Sequence, residues 1–405
     1  MGIVHALGTA LLYAGVAGVL CSTGFLALTL YSALRFRNPR PKSRPDFFPP
    51  VTLLKTVYGL EPRLDSSLES FFTQDYPNFE IIFGARNNAD PALRIVEKLQ
   101  AKYPHVPVKI AYSGEPDRPN AKVCSLEKMV PLATTGYYVI SDSDVHVEPD
   151  YLREIMAPFA DPKIGMVTCL YRGVPTGGLW SRLEALGMSV EMTSGAICAN
   201  TLEGMKFALG PTMVGRREAV EQVGGMAALA EYCSDDYLLG NWIAEAGWKV
   251  EMSHHVIDHI VLNRSSRDSI AHQVRWMKST RFSRPKGHFG TSLTFAMPFA
   301  ILALIGGSLA AKPAIGLAVF AFAILNRIVL TLAAGWGVVR DPNSVAYCWL
   351  YPFRDLMGFF FWAASYMNSE IVWRKQRYKL IMGGKMVKIA DESLSPERVT
   401  AGQRA

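Results

Sequence analysis

The sequence predicts an α/β domain with a Rossmann-like, mainly parallel sheet, set between N-terminal and C-terminal transmembrane helices. Three observations predict it. From residue 51 onward, strand-like and helix-like segments alternate, the pattern of βαβ units and a mainly parallel sheet. Apolar residues make up 50% of the 405-residue chain, yet they concentrate in residues 5–34 and 291–367, stretches long enough for membrane spans. Finally, the apolar run Tyr137-Tyr138-Val139-Ile140-Ser141 ends in Asp142-Ser143-Asp144, two carboxylates where such sheets hold their ligands.

The first apolar run, 1–34, is too long for the core of a signal peptide and lacks its basic start and clear cleavage site. Arg35, Arg37, Arg40, Lys42 and Arg44 follow it with no acid until Asp46, which places this flank and the middle of the chain in the cytoplasm. The formal net charge of +7 comes largely from such clusters and suits an anionic lipid surface. No basic stripe interleaved with aromatics points to nucleic acid. The six cysteines are scattered without a C-x-x-C pair, as free thiols in a reducing compartment are.

After the basic linker 35–50, the α/β domain is expected over 51–266. Strands are expected at Val51–Val57, Phe79–Ala85, Val106–Tyr112, Tyr137–Ser141, Ile164–Leu170 and Trp248–Ser253. Helices are expected at Pro62–Thr73, Pro91–Tyr103, Val123–Ala133, Pro149–Phe159 and Ser234–Gly247. The weakly charged stretch from Gly178 to about Gly204 fits either a buried core helix or one at the membrane surface. Residues 267–290 begin with a basic amphipathic helix, Arg267–Ser283, expected at the interface. In 291–368, Thr291–Ala311 and Pro313–Val339 read as a helical hairpin. Tyr347–Met367 is interrupted by Pro352, Arg354 and Asp355 and is expected to be re-entrant or interfacial. That keeps the basic tail, 369–405, in the cytoplasm. Arg327, costly in lipid, is expected to face the bundle or Asp355.

The candidate chemistry lies in a few polar positions. Side chains two apart on a strand point the same way, so Asp142 and Asp144 would leave the sheet edge as a pair suited to Mg2+ or Mn2+ together with a substrate's phosphates. A plain turn explains the same residues. Asp236, beside Asp235 at the start of a helix, reads as a general base or as a first-turn acid favoured by the helix dipole. Asp90 before Pro91 has the form of an N-cap and N1 proline. Lys55 ends a strand and Lys122 follows a loop, so each can meet a nucleotide or solvent. His272, Arg275 and Trp276 share one helix face at i, i+3 and i+4. There Arg275 can pair with phosphate oxygens, Trp276 can stack on sugar or acceptor, and His272 can donate to a diphosphate. Arg and Trp would also anchor a helix at headgroup level.

In this order, Asp90, Asp142/Asp144, Asp236 and His272-Gln273-Val274-Arg275-Trp276 resemble the signature D…D…D…(Q/R)-x-x-R-W of the ceramide glucosyltransferase family. Local matches include Leu68-Glu69-Ser70-Phe71-Phe72, Asp75-Tyr76-Pro77, Asn120-Ala121-Lys122, Asp235-Asp236-Tyr237 and Gly247-Trp248, with Trp373-Arg374-x-x-Arg377-Tyr378 in the tail. The resemblance covers roughly residues 50–285 plus the tail. It implies a membrane-bound, inverting enzyme of GT-A fold that takes a UDP-sugar and a divalent cation, Mn2+ or Mg2+. It groups Lys55, Glu61, Asp90, Asn120, Lys122 and Asp142 with the UDP-sugar, with Asp90 facing uridine. Asp144 is then the metal ligand, with Asp142 next to the donor sugar or sharing the metal. Asp236, His272, Arg275 and Trp276 form the catalytic group.

His272 stands where the family's usual Gln or Arg would be. With Ser279-Thr280-Arg281-Phe282-Ser283-Arg284-Pro285 it is similar to the bacterial hopanoid-associated branch, whose acceptor is a polycyclic lipid alcohol. The expected function is transfer of a single sugar, glucose or N-acetylglucosamine, to a lipid hydroxyl at the cytoplasmic face, most simply of a bacterial inner membrane. The expected partners are the UDP-sugar, the lipid acceptor and the bilayer. The alternatives are a processive polysaccharide synthase, for which the C-terminal spans are few, and a non-catalytic nucleotide-sugar-binding scaffold.

Overall fold

The computed structural model describes residues 2–37, 47–263, 265–373 and 376–389. Arg40, Lys42 and Arg44 of the linker, and Arg374 and Lys375 of the tail, lie outside the described residues. Helix α1 (Gly2–Arg37) is unbroken and runs past the expected end at residue 34. Its buried positions include Gly8, Leu12, Gly15, Val19, Ser22, Leu26, Thr29 and Ala33, spaced alternately four and three apart, the seam of a helix packed lengthwise on others. Small residues on that seam let backbones meet closely. A Cβ at Gly15 would lie 2.5 Å from the Ala303 nitrogen, and one at Gly306 would lie 2.3 Å from the Leu12 nitrogen.

The first half of the α/β domain follows the expected alternation. It comprises β1 (Val51–Thr56), α2 (Leu64–Phe72), β2 (Phe79–Ala85), α3 (Leu93–Lys102), β3 (Val108–Tyr112), α4 (Ala121–Met129) and β4 (Tyr137–Ser141). These strands pair in the order β3-β2-β1-β4, all parallel. Leu53, Leu54, Ile81, Ile82 and Phe83 are fully buried, as strands covered on both faces require. The chain order reverses between β1 and β4, and that crevice is where an open α/β sheet binds its ligand.

The second half adds β5 (Val145–His146), α5 (Tyr151–Met156), β6 (Ile164–Pro175), α6 (Gly178–Gly187), α7 (Thr193–Glu203), β7 (Thr212–Arg216), α8 (Arg217–Gln222), α9 (Asp235–Glu245) and β8 (Lys249–Val261). The full sheet runs β3-β2-β1-β4-β7-β6-β8-β5. Strand β7, absent from the sequence reading, is antiparallel to both β4 and β6. Strand β8 continues well past the expected end at Ser253, because the register against β6 slips at His254-His255. Such a bulge bends a strand, and the extension brings His259 opposite Val145. Between Gly178 and Gly204 the core reading holds: a π-turn at Met188–Met192 joins α6 to α7, and Leu183, Leu186 and Val190 are fully buried.

The C-terminal part contains α10 (Ser266–Ser283), α11 (Pro285–Thr291), α12 (Met297–Leu309), α13 (Pro313–Thr331), α14 (Pro342–Ala346) and α15 (Tyr351–Ala364). The first expected span, Thr291–Ala311, is broken, and Pro285–Thr294 meets α12 at 48°. Asp355 causes the new start: its Oδ2 accepts the Ala296 and Met297 N–H groups at 3.0 and 2.8 Å, capping α12. Among the described residues, α1 and Pro313–Trp336 are long and apolar enough to cross a membrane, with the bent pair a third if it counts as one span. Helix α15, with 14 residues, reaches about 21 Å against a hydrocarbon core of about 30 Å. Arg327, 1% exposed, pairs with Asp355 at 3.0 Å, the partner expected for it. The region expected only as a basic tail forms an antiparallel sheet of β9 (Glu370–Trp373), β10 (Gln376–Ile381) and β11 (Lys385–Lys388).

Candidate active site

The loops that follow the four parallel strands deliver the candidate residues to one edge of the sheet. Lys55, near the end of β1, lies in register with Ser141 of β4. Fully buried, its ammonium donates to the Asp142 carbonyl at 2.5 Å and sits 3.6 Å from the Phe71 ring centroid. Burial pushes its pKa down to about 7, against the pull of Asp142 and Asp144. Glu61, in the loop after β1, accepts from Ser143 Oγ at 2.8 Å. Burial, then the nearby Asp144 and Asp142, hold its carboxyl above the usual range. Asp90, after β2, accepts the Gly59 N–H at 3.0 Å and the Ala92 N–H at 3.0 Å. It therefore closes a turn and holds the Glu61 loop; it does not cap α3, whose N-cap is Ala92.

Asn120, expected at the nucleotide, lies behind the cleft. It is fully buried, caps α4 through the Val123 N–H at 3.2 Å, and donates to Asp235 Oδ1 at 3.1 Å. Two residues on, Lys122 pairs with Asp142 at 2.6 Å and with Asp235 at 3.9 Å. Burial alone would depress this lysine, but Asp142 and Asp235 outweigh it and keep the ammonium firmly charged.

Asp142 and Asp144 lie beyond the last strand residue, so strand alternation does not set their directions. Asp142 turns to Lys122, while Asp144 Oδ2 lies 3.1 Å from His259 Nε2 on β8. Burial disfavours the Asp144 charge, yet His259 and Lys55 hold its carboxyl below the usual range. Its other oxygen, Oδ1, is buried and meets no hydrogen-bond donor among the described residues. An orphaned carboxylate oxygen beside an imidazole fits a hard divalent cation. Among the described residues no cluster of three or more His, Cys, Asp or Glu forms a complete cage. Mg2+ and Mn2+ do not require one, since they keep waters and bind substrate phosphates.

Asp236 opens α9 on the other side of the crevice. Its Oδ1 accepts the Tyr237 N–H at 2.8 Å, and Gly210 leaves room for Oδ2, where a Cβ would approach to 2.9 Å. Burial and the like charge of Asp235 push its pKa up to about 6. Tyr171, on β6 and overlooked in the sequence, marks the convergence. Its phenol is held strongly neutral by burial and then by Asp236, Asp142 and Asp144 together.

Helix α10 packs on α6, α15 and the tail strands and touches the loop before Asp235. Arg275 is partly buried over the Trp373 ring at 5.4 Å; burial lowers its pKa, and no carboxylate partner meets it among the described residues. The rings of His272 and Trp276 lie against each other at 4.3 Å between centroids, tilted by 52°, and His272 Nδ1 lies 2.8 Å from the buried Glu184. Ser279 of the same helix meets Ser234 at 2.5 Å and Cys233 at 3.1 Å, on the loop leading to Asp235. The tail sheet grips that loop as well: the Cys233 N–H donates to Gly384 O at 3.1 Å and the Met386 N–H to Glu231 O at 2.7 Å. Glu184, His259, Tyr171 and the tail sheet were not found from the sequence. The histidine-rich run His254-His255-Val256-Ile257-Asp258-His259 was the one visible signal.

A family model described as Glycosyl transferase family 21 matches residues 15–386. The chain belongs to glycosyltransferase family 21. Among its relatives, ceramide glucosyltransferase 1 of Caenorhabditis elegans is 24% identical over 93% of this chain and 80% of its own length. The ceramide glucosyltransferase of Komagataella phaffii is 40% identical over a shorter stretch, 24% of this chain and 20% of its own. These agree with the resemblance drawn from the motifs. The mannosyltransferase PcManGT from Pyrobaculum calidifontis, solved with GDP-Man and Mn2+, superposes with a TM-score of 0.50 at 18% identity. It covers 88% of this chain and 99% of its own, and the shared architecture is the GT-A fold. This family 21 member is thus a glycosyltransferase built on the GT-A fold.

Proposed function

We propose that this enzyme moves one glucose or N-acetylglucosamine unit from a UDP-sugar, with inversion, to the hydroxyl of a membrane lipid at the cytoplasmic face. The observation that carries this reading is the charge cluster at the sheet's edge: Lys122 pairs with Asp142 at 2.6 Å and lies 3.9 Å from Asp235, the neighbour of Asp236, while Asp144 lies 3.1 Å from His259. Asp236 takes the acceptor's hydroxyl proton while that oxygen attacks the anomeric carbon. The sugar–phosphate bond breaks and the electron pair leaves with UDP. Lys122 and Arg275 supply fixed positive charge on the leaving-group side. Lys55 braces the loop that carries Asp142, and Asp90 orders the Gly59–Glu61 loop toward uridine.

A bound Mn2+ or Mg2+ would be held at Asp144, with Asp142 and His259 beside it, and would neutralise diphosphate charge. Arg35 and Arg37 in the last turn of α1 favour a cytoplasmic catalytic side, in a bacterial inner membrane. The curated relatives act on ceramide, and His272 in place of Gln or Arg favours a polycyclic lipid alcohol of hopanoid type.

The test incubates purified protein with a panel of UDP-sugars and with ceramide and hopanoid acceptors, with and without chelator, and reads products by mass spectrometry. One added sugar, lost on chelation and restored by Mn2+ or Mg2+, is expected. A polymer would make the chain a processive synthase, and absence of transfer with every pair would make it a binding scaffold.

A further inference from the structure

Among the buried carboxylates that the transfer chemistry above leaves unused, one stands directly behind the motif histidine. Glu184 on α6 is 1% exposed, and a carboxylate is kept there only where donors satisfy it. Three side chains do so. Its Oε1 accepts from His272 Nδ1 at 2.8 Å and Asn263 Nδ2 at 2.9 Å, and its Oε2 accepts from Ser269 Oγ at 2.5 Å. Gln273 Nε2 donates to that serine at 3.0 Å, and its own carbonyl oxygen is held by Arg354 of α15 at 2.6 Å. A continuous hydrogen-bond chain thus runs from Arg354 of α15 to the imidazole of the motif.

The geometry dictates the tautomer. A bare Nδ1 lone pair 2.8 Å from a carboxylate oxygen would set two acceptors against each other. Asn263 Nδ2 also lies 3.0 Å from Nδ1, but it has the closer Glu184 oxygen as its acceptor at 2.9 Å, so Nδ1 carries the proton. Burial works against the Glu184 charge, but His272 and the hydrogen bonds from His272, Ser269 and Asn263 outweigh it and keep the carboxyl below its usual range. Nε2 has no partner among the described residues, and the His272 side chain is 27% exposed. Trp276, with its ring centroid 4.3 Å away, flanks the imidazole and restricts its rotation.

We infer that Glu184 is the positioning residue for His272, fixing its Nδ1–H tautomer and presenting Nε2 to the donor's diphosphate or the acceptor. This inference rests on the glycosyl-transfer reading of the cleft. It also accounts for a histidine standing where the motif otherwise carries Gln or Arg: an imidazole has two candidate nitrogens, and a carboxylate behind one selects the other.

The test combines two readouts on the full-length protein. In detergent-solubilised protein with 15N-labelled histidine, assigned against His272→Gln, wild type is expected to show the Nδ1–H tautomer at 272, and Glu184→Gln to lose it. In the transfer assay, Glu184→Gln is expected to lower kcat by about 10–100-fold with donor KM within about threefold. In a His272→Gln background, the same substitution is expected to cost less than about threefold, because no imidazole remains to orient. Glu184→Asp keeps the buried charge with a shorter reach and carries the same comparison if the Gln variant does not fold. An unchanged tautomer, or equal losses in both backgrounds, overturns the inference. If wild type transfers no sugar, the functional reading fails, while the tautomer still decides the role of Glu184.

Discussion

Asp236→Asn probes the chemistry most directly, and the structure sets the size of its effects. The carboxyl has its pKa pushed up to about 6 by burial and by Asp235, and only the ionised form can take a proton. A group titrating there is about 90% ionised at pH 7 and about 10% at pH 5, so wild-type kcat/KM, which reports the free enzyme, should fall about tenfold over that interval. Asparagine is nearly isosteric, still accepts the Tyr237 N–H, and cannot act as a base. Its kcat should drop by about 10²–10⁴-fold, with UDP-sugar affinity retained and the acid limb gone. Stability should move the other way. A carboxyl whose folded pKa exceeds its unfolded value opposes folding when ionised, and that penalty disappears as pH falls through about 6 toward the ordinary carboxylate range. Asp236→Asn should therefore raise the melting temperature at pH 7.5 and leave it nearly unchanged at pH 4. The assay is steady-state UDP release from pH 5 to 8 alongside melting in detergent. A flat wild-type profile between pH 5 and 7, or Asn turnover within threefold of wild type, would refute the reasoning.

The remaining predictions concern the pairings around this base and within the membrane bundle. Lys122→Met removes a cation that lowers the Asp236 pKa, so the acid limb of kcat/KM should move to higher pH; an unmoved limb would separate Lys122 from the base. Arg327→Met strands Asp355, 2% exposed, and should cost about 3–5 kcal/mol, read as an early thermal transition. Gly306→Leu forces a side chain onto the Leu12 backbone, at 2.3 Å from Cβ, and should cost about 1–3 kcal/mol. Gly24→Leu, with nothing within 4 Å, should be neutral in the same melting assay.

The parallel half of the sheet was legible because β1, β2 and β4 are buried on both faces and so read as uninterrupted apolar runs. Strand β7 was not, since five residues ending in Gly215-Arg216 carry too weak a pattern and take their place only by pairing with β4 and β6. In the tail, Tyr378 and Leu380 face inward while Arg377 and Lys379 face out. The outward charges dominate the composition and hide a two-residue period. Asp142, Lys122 and Asp236 were legible because charges at strand ends and helix starts stand out from their surroundings. Glu184, Tyr171 and His259 were not, because each sits inside an element whose other residues are ordinary core. Asn120 had the correct neighbourhood and the wrong orientation: its amide is turned inward, onto Asp235.

The β-hairpin at residues 376–388, which grips the loop before Asp235, comes after every apolar helix in the chain. Asn120 and Ser279 also hold that loop, through Tyr232 O at 2.9 Å and Ser234 Oγ at 2.5 Å, so during synthesis the hairpin is the last of its anchors to leave the ribosome. A chain shortened before residue 376 would keep the eight-stranded sheet and lose this final hold on the loop ahead of Asp235.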